Sequence, residues 1–505
     1  MDTIEIGVVG SGPAGLYTAE ALIKQAAALD PPARIRVDVI DRLPTPYGLV
    51  RYGVAPDHKS IKSIAEYLRR VLEHEGVSFL GNVHLGTDVT RDDLLSCYDA
   101  VVYATGAMSD RRLGIPGEDL PGSYAATDFV NWYCGHPDIA ADAFTLDAES
   151  VAVIGVGNVA VDVARILVRD PAELHETDIP EPVMAALRSS SVREVNVIGR
   201  RGPAQAKFTT KELRELGDLP GVSVSVAPGE LDLDIADPSG ASAALADSDR
   251  RVRGNLVAMR GWAASTEPGT VRRLRLRFWL RPVEITGTER VQALIVERTR
   301  MTSDGAVEGT GQLETIEAQM VLRSVGYRSV PLDGVPFDDR THTVPSSSGR
   351  VLDADGKVLP GEYVAGWLKR GPTGVIGTNK ADAAQTVQAL LADLAGGPDV
   401  GAEALPRPGL LRMPASAEGA EGAEPGCAEG LVGAGDALDR SPLPAVLAAR
   451  GVRPVSYADW LRIEEAEGEL ARSLGRGDRV KLPSLDALRA ALPRDEEPGR
   501  LQVRR

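Results

Sequence analysis

The sequence predicts an α/β protein of two doubly wound units, with the second inserted into the first. Three observations support this prediction. A strand, a glycine turn and a helix follow one another at 4–28, and the same pattern repeats at 150–168. A buried strand at 99–106 and a similar one at 321–327 both run into a glycine, so they mark where the chain leaves the first unit and re-enters it. Alternating strands and helices are typical of a parallel sheet covered on both faces.

The first pattern begins with residues 4–9, which cluster apolar side chains as a buried parallel strand does. Gly10–Gly15, with the sequence GSGPAG, leads from this strand into a helical run at 16–28. It fits the G-x-G-x-x-G fingerprint, in which the first glycine makes a tight turn, the second admits a pyrophosphate and the third lets the helix pack closely. The next strand, 36–41, ends in Asp41, a carboxylate placed to accept a ribose hydroxyl. A glycine turn used only for packing needs no such acid, so we predict a dinucleotide site.

The segment 43–58 is a loop rich in proline and glycine that also carries Tyr, Leu, Val and Arg. We interpret it as a loop that packs against a flat cofactor ring. An amphipathic helix is predicted at 61–74 and a strand at 77–85. The strand at 99–106 then ends as parallel strands do at a ligand crevice.

The second pattern has a strand at 151–154 and the turn Gly155–Ala160, with an alanine at the third small position that the fingerprint permits. The strand at 194–198 is followed by Gly199, Arg200 and Arg201, where an NAD site would have its acid. Two guanidinium groups can hold a 2′-phosphate by charge-assisted hydrogen bonds, so the pair favours NADP over NAD. A solvated basic turn is the alternative.

The remaining segments complete the two units. Residues 273–280 alternate apolar and arginine side chains as a strand does. Residues 363–379 carry four glycines before a helix predicted at about 380–394, and the amino end of that helix would stabilise an anionic reduced flavin. Residues 396–435 are rich in Gly, Ala, Glu and Pro and are interpreted as a loose surface loop or linker, and 456–474 as a closing amphipathic helix. The predicted domains are 1–106 and 326–505 for the first unit, including a C-terminal helical tail, and 107–325 for the insertion.

The overall composition limits the function classes. The chain has 505 residues, of which 43% are hydrophobic and 25% charged, as in an ordinary globular protein. Its net charge of −16 argues against nucleic-acid binding. Its three cysteines are far apart, which argues against a disulfide framework, a metal cluster and a redox dithiol. We expect no membrane insertion, no signal or transit peptide and a cytoplasmic location, because no apolar run reaches a membrane-spanning length and the first strand begins at Ile4.

Seven motifs together resemble the adrenodoxin-reductase-type ferredoxin–NADP reductases, and the bacterial branch is the nearer match. The motifs are Val9–Gly15, Thr45–Arg51, Gly53–His58, Gly155–Arg165, Gly199–Pro203, Phe208–Leu216 and Gly366–Gly377. The resemblance spans Ile4 to about Leu394 and, loosely, the C-terminal tail, and 396–435 is the segment that does not share it. Two positions depart from the family pattern: Asp41 stands where relatives often have Glu, and Lys59 follows His58 where they commonly have Pro.

The resemblance implies two Rossmann-like dinucleotide-binding domains, with the NADP domain inserted into the FAD domain. It implies tightly held FAD, NADPH as hydride donor and a small iron–sulfur ferredoxin as one-electron acceptor. With the first turn included, the residues at FAD would be Gly10, Gly12, Ala14, Gly15, Asp41, Leu49, Val83, Trp367, Gly374, Val375 and Ile376. With the second turn included, those at NADP would be Arg111, Gly155, Gly157, Asn158, Val159, Ala160, Arg200, Arg201, Glu212 and Gly374.

Three residues are candidates for catalysis. Asp162 lies in the predicted first turn of the second helix, where the helix dipole favours a carboxylate, and the resemblance suggests that it also places the nicotinamide or manages protons. His58 is either a structural hydrogen-bonding residue of its loop or a proton relay with Asp162. Glu212 either bonds the cofactor or is an ordinary helix-face glutamate, and Trp367 is either a core residue or a contact to the flavin ring.

Three arginines, Arg250, Arg251 and Arg253, stand out in an acidic chain, and we predict that they dock an acidic ferredoxin. A solvated loop is the alternative. Two other functions remain open. One is the NADPH-oxidising half of a glutamate-synthase-like or dithiol-reductase flavoprotein, which needs cysteine clusters that this sequence lacks. The other is a redox-sensing or binding protein that kept the cofactor folds.

Overall fold

The computed structural model describes residues 3–232, 237, 239–263, 272–396 and 442–493. Its strands are β1 (Ile4–Val9), β2 (Ile35–Ile40), β3 (Val77–Leu80), β4 (Ala100–Tyr103), β5 (Ser109–Asp110), β6 (Ser123–Ala125), β7 (Ser150–Ile154), β8 (Glu194–Ile198), β9 (Val222–Val226), β10 (Arg272–Arg277), β11 (Leu280–Thr286), β12 (Ala293–Met301), β13 (Val307–Glu317), β14 (Met320–Arg323), β15 (Tyr327–Arg328), β16 (Ser346–Ser347), β17 (Arg350–Leu352) and β18 (Val358–Val364). Its α-helices are α1 (Pro13–Ala27), α2 (Leu49–Tyr52), α3 (Lys59–Lys62), α4 (Ile64–Leu72), α5 (Arg91–Cys97), α6 (Ala126–Tyr133), α7 (Asn158–Val168), α8 (Glu181–Arg188), α9 (Thr210–Gly217), α10 (Ala241–Ser248), α11 (Arg250–Ala263), α12 (Trp367–Arg370), α13 (Thr378–Leu394), α14 (Pro442–Ala449), α15 (Tyr457–Leu474) and α16 (Leu485–Ala490).

The chain folds into two compact units, each built from three stretches of sequence. The first unit comprises 1–50, 63–107 and 329–461, and the second comprises 51–62, 108–328 and 462–505. The inserted stretch thus begins at 108 and ends at 328, one and three residues after the predicted limits of 107 and 325. Two segments differ from the predicted division, because 51–62 and 462–505 group with the second unit. The stretch 396–435, interpreted from sequence as a loose loop, lies outside the described residues apart from its first residue.

The first unit is built on a mixed sheet of order β16-β17-β18-β4-β1-β2-β3. The five strands from β18 to β3 run parallel, and β16 and β17 add an antiparallel edge. The carboxyl ends of β1 and β2 are in register, with Val9 opposite Ile40. The turn after β1 and the acid after β2 therefore lie at the same edge of the sheet, where doubly wound proteins bind their ligands.

The second unit is built on a parallel sheet of order β6-β14-β7-β8-β10-β9. Its core joins this sheet to a three-stranded antiparallel sheet, β11-β12-β13, through buried residues such as Ile154, Ile198 and Ile285. Strand β10 is interior, between β8 and β9. Leu274 and Leu276 are fully buried on one of its faces, and Arg273 on the other lies 3.1 Å from Glu194 of β8, which accounts for the predicted alternation.

Two predicted helices need correction. The helix expected at 61–74 is divided into α3 and α4, because the ammonium of Lys62 pairs with Asp178 in the second unit while α4 packs on α1 in the first. Helix α7 begins at Asn158, with Gly157 as its N-cap, so Asp162 lies in the second turn rather than the first. Among the described residues, no helix is long and apolar enough to cross a membrane.

Candidate functional site

The first glycine turn in the first unit is held tightly by backbone contacts. The amide of Gly10 donates to the carbonyl of Ile40 at 2.7 Å. Gly10 has φ +112°, and a Cβ there would lie 2.5 Å from the carbonyl oxygen of Ala104. A Cβ on Gly15 would lie 1.8 Å from the carbonyl oxygen of Gly10. These two positions therefore require glycine for the fold itself.

Asp41 organises the edge of this turn. Its Oδ2 accepts hydrogen bonds from the amide and the hydroxyl of Ser11 at 2.9 and 2.6 Å, and its Oδ1 accepts from the amide of Leu43 at 2.9 Å. The carbonyl of Asp41 accepts from the amide of Val83 at 2.9 Å. A carboxylate has about four acceptor positions, so Asp41 keeps capacity for a ribose hydroxyl.

Gly12 differs from Gly10 and Gly15, because the space that its Cβ would occupy is open. A Cβ on Gly12 would meet only the Cα of Gly48, at 3.9 Å. Gly12 is the N-cap of α1 and has φ −71°, which any residue adopts. The glycine here leaves room at a helix amino end rather than serving the backbone conformation, as a phosphate-binding turn requires.

The returning segment of the first unit packs on the same turn. A Cβ on Gly366 would lie 2.4 Å from the Cβ of Ala14. The indole N–H of Trp367 donates to the carbonyl of Thr373 at 3.1 Å, so this side chain braces its own loop. Val375 is 69% exposed, an unusual value for an apolar residue that precedes a helix so closely. The start of the returning segment, at Gly366, thus lies against the first turn, and the FAD-contact role of Trp367 and of residues 374–376 stays a prediction.

The second glycine turn, in the second unit, repeats the design of the first. Gly155 has φ +135°, and a Cβ there would lie 2.1 Å from the carbonyl oxygen of Ser324. Gly157 has φ −111°, and no atom lies within 4 Å of its Cβ position. The Oδ1 of Asn158 accepts a hydrogen bond from the amide of Thr209 at 2.9 Å, and this bond connects the turn to α9. Again one glycine serves the fold, and another leaves room at a helix amino end.

Arg200 and Arg201 follow β8 with their backbones fixed and their side chains exposed. The carbonyl of Arg200 accepts from the hydroxyl of Thr299 at 2.8 Å, and that of Arg201 accepts from the amide of Trp279 at 3.2 Å. A Cβ on Gly202 would lie 2.0 Å from the Trp279 ring, so the chain is pinned on that side. Both guanidinium groups are exposed, and no ion pair engages them within the described ranges. This is the arrangement expected of a pair that binds an anion.

A buried charged cluster lies elsewhere in the second unit, around His58. Its Nε2 lies 3.4 Å from Oδ1 of Asp162 and 3.5 Å from Oε2 of Glu215. Arg165 reaches Asp162 at 2.8 Å and forms two hydrogen bonds to Asp57, at 2.6 and 2.9 Å. In the part of the chain that the structure describes, His58 Nε2 and Asp162 Oδ1 are buried without a hydrogen bond of good geometry. The cluster therefore has capacity to hold a proton or a polar ligand.

The surroundings shift the pKa values of the two titrating groups of this cluster in opposite directions. Burial raises the pKa of Asp162 to about 7, although Arg165 opposes the shift. Burial lowers the pKa of His58, and the charge of Arg165 adds to this effect. A carboxyl that keeps its proton up to near neutral pH can act as a proton donor or acceptor there.

A cavity of about 380 Å³ opens beside this cluster in the second unit. It is lined by Asp57, His58, Lys59, Ser60, Arg165, Arg169, Lys211, Glu215, Asp218 and Leu219. The sequence analysis did not select Glu215 or Arg165 as site residues. Glu215 lies four residues after Lys211 on α9, so a helix-face projection of the Phe208–Leu216 motif would have placed the two side chains together.

The other predicted site residues lie as follows. Glu212 is buried, accepts from the hydroxyl of Thr209 at 3.0 Å, and burial raises its pKa. Arg111 is exposed, and its amide donates to the carbonyl of Gly326 at 3.0 Å. Leu49 begins α2 and is half-buried. Val159 and Ala160 open α7, and Ala160 is fully buried.

The three candidate docking arginines lie together at the start of α11, and Arg250 and Arg253 are exposed. Two of them also contact backbone carbonyls: Arg251 donates to Ala206 at 2.7 Å, and Arg253 donates to Asp247. The Arg251 side chain keeps 38% of its surface exposed, and the docking role of the three residues stays a prediction.

Replacing Asp162 with Asn is expected to stabilise the protein more at pH 8 than at pH 5. The pKa is 3.8 in an unfolded chain and about 7 in the folded protein, so the stability that the neutral carboxyl contributes is lost as the pH rises through this window. Asn stays neutral, and the gain in unfolding free energy should grow by about 2–3 kcal/mol between these pH values. Melting temperatures of both proteins across pH 5–8 test this. A difference in Tm that does not depend on pH would show that Asp162 is ionised throughout.

Comparison with known proteins adds independent findings. The sequence pattern of the pyridine nucleotide-disulphide oxidoreductase family matches residues 4–214. The NADPH-ferredoxin reductase FprA of Mycobacterium tuberculosis is 47% identical over 393 residues, which are 77% of this chain and 84% of that protein. The mitochondrial NADPH:adrenodoxin oxidoreductase of Arabidopsis thaliana is 41% identical over 408 residues, with coverage of 77% and 82%.

A solved structure is similar over nearly the whole chain. It is that of Mycobacterium tuberculosis FprA in complex with NADPH, with a TM-score of 0.83 and 42% sequence identity. The match covers 96% of this chain and 99% of that one. The likeness therefore includes the C-terminal segment, which the motifs found in the sequence did not reach.

Proposed function

Because this chain belongs to the adrenodoxin-reductase-type ferredoxin–NADP reductases, we propose that it passes electrons from NADPH, through FAD, to an iron–sulfur ferredoxin. It is an oxidoreductase of two Rossmann-like domains whose cofactors are FAD and NADP. One observation carries the proposal for this chain. Each unit has a strand–turn–helix with an open glycine at the helix amino end, and only the second adds an exposed arginine pair.

The first unit fits FAD. The space over Gly12 admits a pyrophosphate at the amino end of α1, and Asp41 has acceptor capacity for the ribose. The exposed apolar side chain of Val375, on the segment that packs against Ala14, suits the flavin ring. Trp367 supports this segment through its bond to Thr373.

The second unit fits NADP. The space over Gly157 admits a pyrophosphate at the amino end of α7. Arg200 and Arg201 would bind the 2′-phosphate, because exposed guanidinium groups on a fixed backbone bind phosphate with good geometry. Arg111 and Glu212 are assigned to this site by family resemblance alone.

FAD, when bound, supplies the hydride and single-electron chemistry that amino-acid side chains lack. The chain's own residues position the two cofactors and handle protons. Asp162 Oδ1 and His58 Nε2 are close enough to exchange one proton, and Glu215 is a second acceptor at 3.5 Å from the same imidazole nitrogen. Arg165 and Asp57 fix this arrangement through two hydrogen bonds.

The colour of the protein under NADPH tests the function directly. The purified protein should be yellow, and the flavin absorbance should bleach when NADPH is added without oxygen and return when an oxidised ferredoxin follows. NADH at the same concentration is the control and should bleach it far more slowly. A protein isolated without flavin, or one that NADPH leaves yellow, would contradict the proposal.

The partner that we propose is an acidic ferredoxin. Arg250 and Arg253 are exposed cations that would contact its negatively charged surface. Replacing both with Glu is expected to slow ferredoxin reduction about tenfold at low salt, while ferricyanide reduction is unchanged. Arg260→Glu, an exposed arginine at the far end of α11, is the matched control. Equal loss with ferricyanide, or equal loss in the control, would remove these residues from the docking role.

A further inference from the structure

The twelve residues 51–62 belong to the second unit, although the chain on either side of them belongs to the first. This segment carries His58. It has a cationic residue at each end, Arg51 and Lys62, and both bind residues of the second unit. The contacts that retain the segment there therefore also decide where the imidazole of His58 is held.

The first end is fixed by the C-terminal part of the chain. The guanidinium of Arg51 is 3% exposed and donates to Oε2 and Oε1 of Glu467 at 3.1 and 2.5 Å. Glu467, on α15, is fully buried. The ring of Tyr52 lies beneath the Arg51 guanidinium, which is 5.1 Å from the ring centre. A paired arginine and glutamate of this kind fix the direction of a backbone, since either charge left alone would be costly.

Lys481 connects this end to the other. Its ammonium is 1% exposed and donates to the carbonyl oxygens of Arg51 and Cys134, at 2.6 and 2.8 Å. It also lies 3.3 Å from Oδ2 of Asp178. That same oxygen accepts from the ammonium of Lys62 at 2.6 Å. One buried ammonium thus touches the first residue of the segment and the acid that holds the last one.

The middle of the segment is held separately. The thiol of Cys134 donates to the carbonyl of Val54 at 3.4 Å, and Asp57 is bound by Arg165. Asp57 immediately precedes His58, so the arginine fixes the backbone next to the imidazole. Glu467 and Lys481 thus secure the first end, and Asp178, which Lys481 also contacts, secures the last one. Cys134, at the end of α6, and Arg165, in α7, secure the middle.

We propose that Glu467 and Lys481, two C-terminal residues, are positioning residues that hold the 51–62 segment in place and so fix His58 for the reductase reaction. They act on His58 through the segment. The catalytic half of this inference rests on the proposed function, while the structural half can be measured without it. Asp178 keeps its hydrogen bond from the ammonium of Lys62 at 2.6 Å when Lys481 is replaced, so no buried charge is left alone and Lys481→Met is expected to fold.

The matched control is Arg476→Met. Arg476 is also a C-terminal cation at 1% exposure, and it binds Glu181 at 2.9 Å and the carbonyls of Thr177 and His175 at 3.1 and 3.2 Å. None of these partners lies in 51–62. Loss of Arg476 therefore loosens the same C-terminal segment in the second unit without touching the segment that carries His58.

Hydrogen exchange of the holoenzyme gives the structural readout. Amides of 51–62 should exchange about tenfold faster in Lys481→Met than in the wild type, and at the wild-type rate in Arg476→Met. If Lys481→Met does not yield folded protein, Lys62→Met replaces it, since Lys62 is 16% exposed and holds only the far end. Equal exchange of 51–62 in the lysine variant and the control would overturn the proposal.

Steady-state kinetics gives the catalytic readout. The kcat for NADPH-dependent ferricyanide reduction should fall about tenfold in Lys481→Met with an unchanged KM for NADPH, because displaced catalytic groups lower the rate without removing the binding site. Faster exchange of 51–62 with full kcat would overturn the link to His58. If the wild type does not oxidise NADPH at all, the proposed function fails, and the exchange comparison alone decides the positioning role.

Discussion

Replacing Arg200 and Arg201 with Ala is expected to raise the KM for NADPH about 30- to 100-fold and to leave the KM for NADH nearly unchanged. Each hydrogen bond to a charged group contributes about 1.5–3 kcal/mol, and screening of exposed side chains reduces the sum to about 2–2.7 kcal/mol, which corresponds to this range. NADH lacks the 2′-phosphate, so the substitution removes no phosphate contact from it. The arginine backbones are held by Thr299 and Trp279 through carbonyl groups that the substitution keeps. The fold should therefore survive.

The measurement is initial velocity against each nucleotide with ferricyanide as acceptor. Flavin absorbance per protein serves as the control for an intact first unit. A parallel rise of both KM values would mean that the pair supports the turn in general and does not recognise the phosphate. Raising the salt concentration should weaken NADPH binding to the wild type and have little effect on the double variant, because only the wild type retains the charge contact.

The second large effect concerns the two open glycines. Gly157→Ala is expected to keep its FAD and lose NADPH binding, whereas Gly12→Ala is expected to be purified without FAD. Both glycines have φ values that alanine adopts, and both have room for a methyl group, so the stability should change by only about 1 kcal/mol. The methyl group would occupy the space where each proposed pyrophosphate must approach the backbone.

The control for this pair is Gly155→Ala. Its φ of +135° and the 2.1 Å approach to the carbonyl of Ser324 predict a protein that does not fold. Flavin absorbance, the dissociation constant for NADP and the melting temperature are measured for Gly157→Ala and Gly12→Ala, and the yield of folded protein is measured for Gly155→Ala. If Gly157→Ala binds NADP normally, or Gly12→Ala retains full flavin, the corresponding turn does not hold a pyrophosphate.

Much of this fold could be predicted from the sequence, because its signals are local. Each strand, glycine turn and helix occupies a run of about 25 residues, within which apolar periodicity and glycine spacing leave a readable pattern. The same holds for Asp41, which follows a strand directly, and for the arginine pair after β8. The two glycine turns, the acid after β2 and the arginine pair after β8 therefore lie at the strand ends where the sequence predicted them, and their ligands stay a prediction.

Contacts between distant parts of the chain could not be predicted in this way. Arg51 and Glu467 are 416 residues apart, and nothing near either residue indicates the other. The contact of Arg251 with the backbone carbonyl of Ala206 is a second example, because a carbonyl partner leaves no mark on the sequence. The division of the predicted 61–74 helix is a third example, since it depends on Lys62 reaching Asp178.

The three-part second unit has a consequence for how the protein is made. Its first segment, 51–62, leaves the ribosome early, yet the partners that secure the ends of that segment include Glu467 and Lys481, near the opposite end of the chain. Domains that are contiguous in sequence can fold during synthesis, one after another. Here Arg51 stays solvated until more than four hundred further residues have been translated, so the second unit completes its contacts only after Glu467 and Lys481 have emerged.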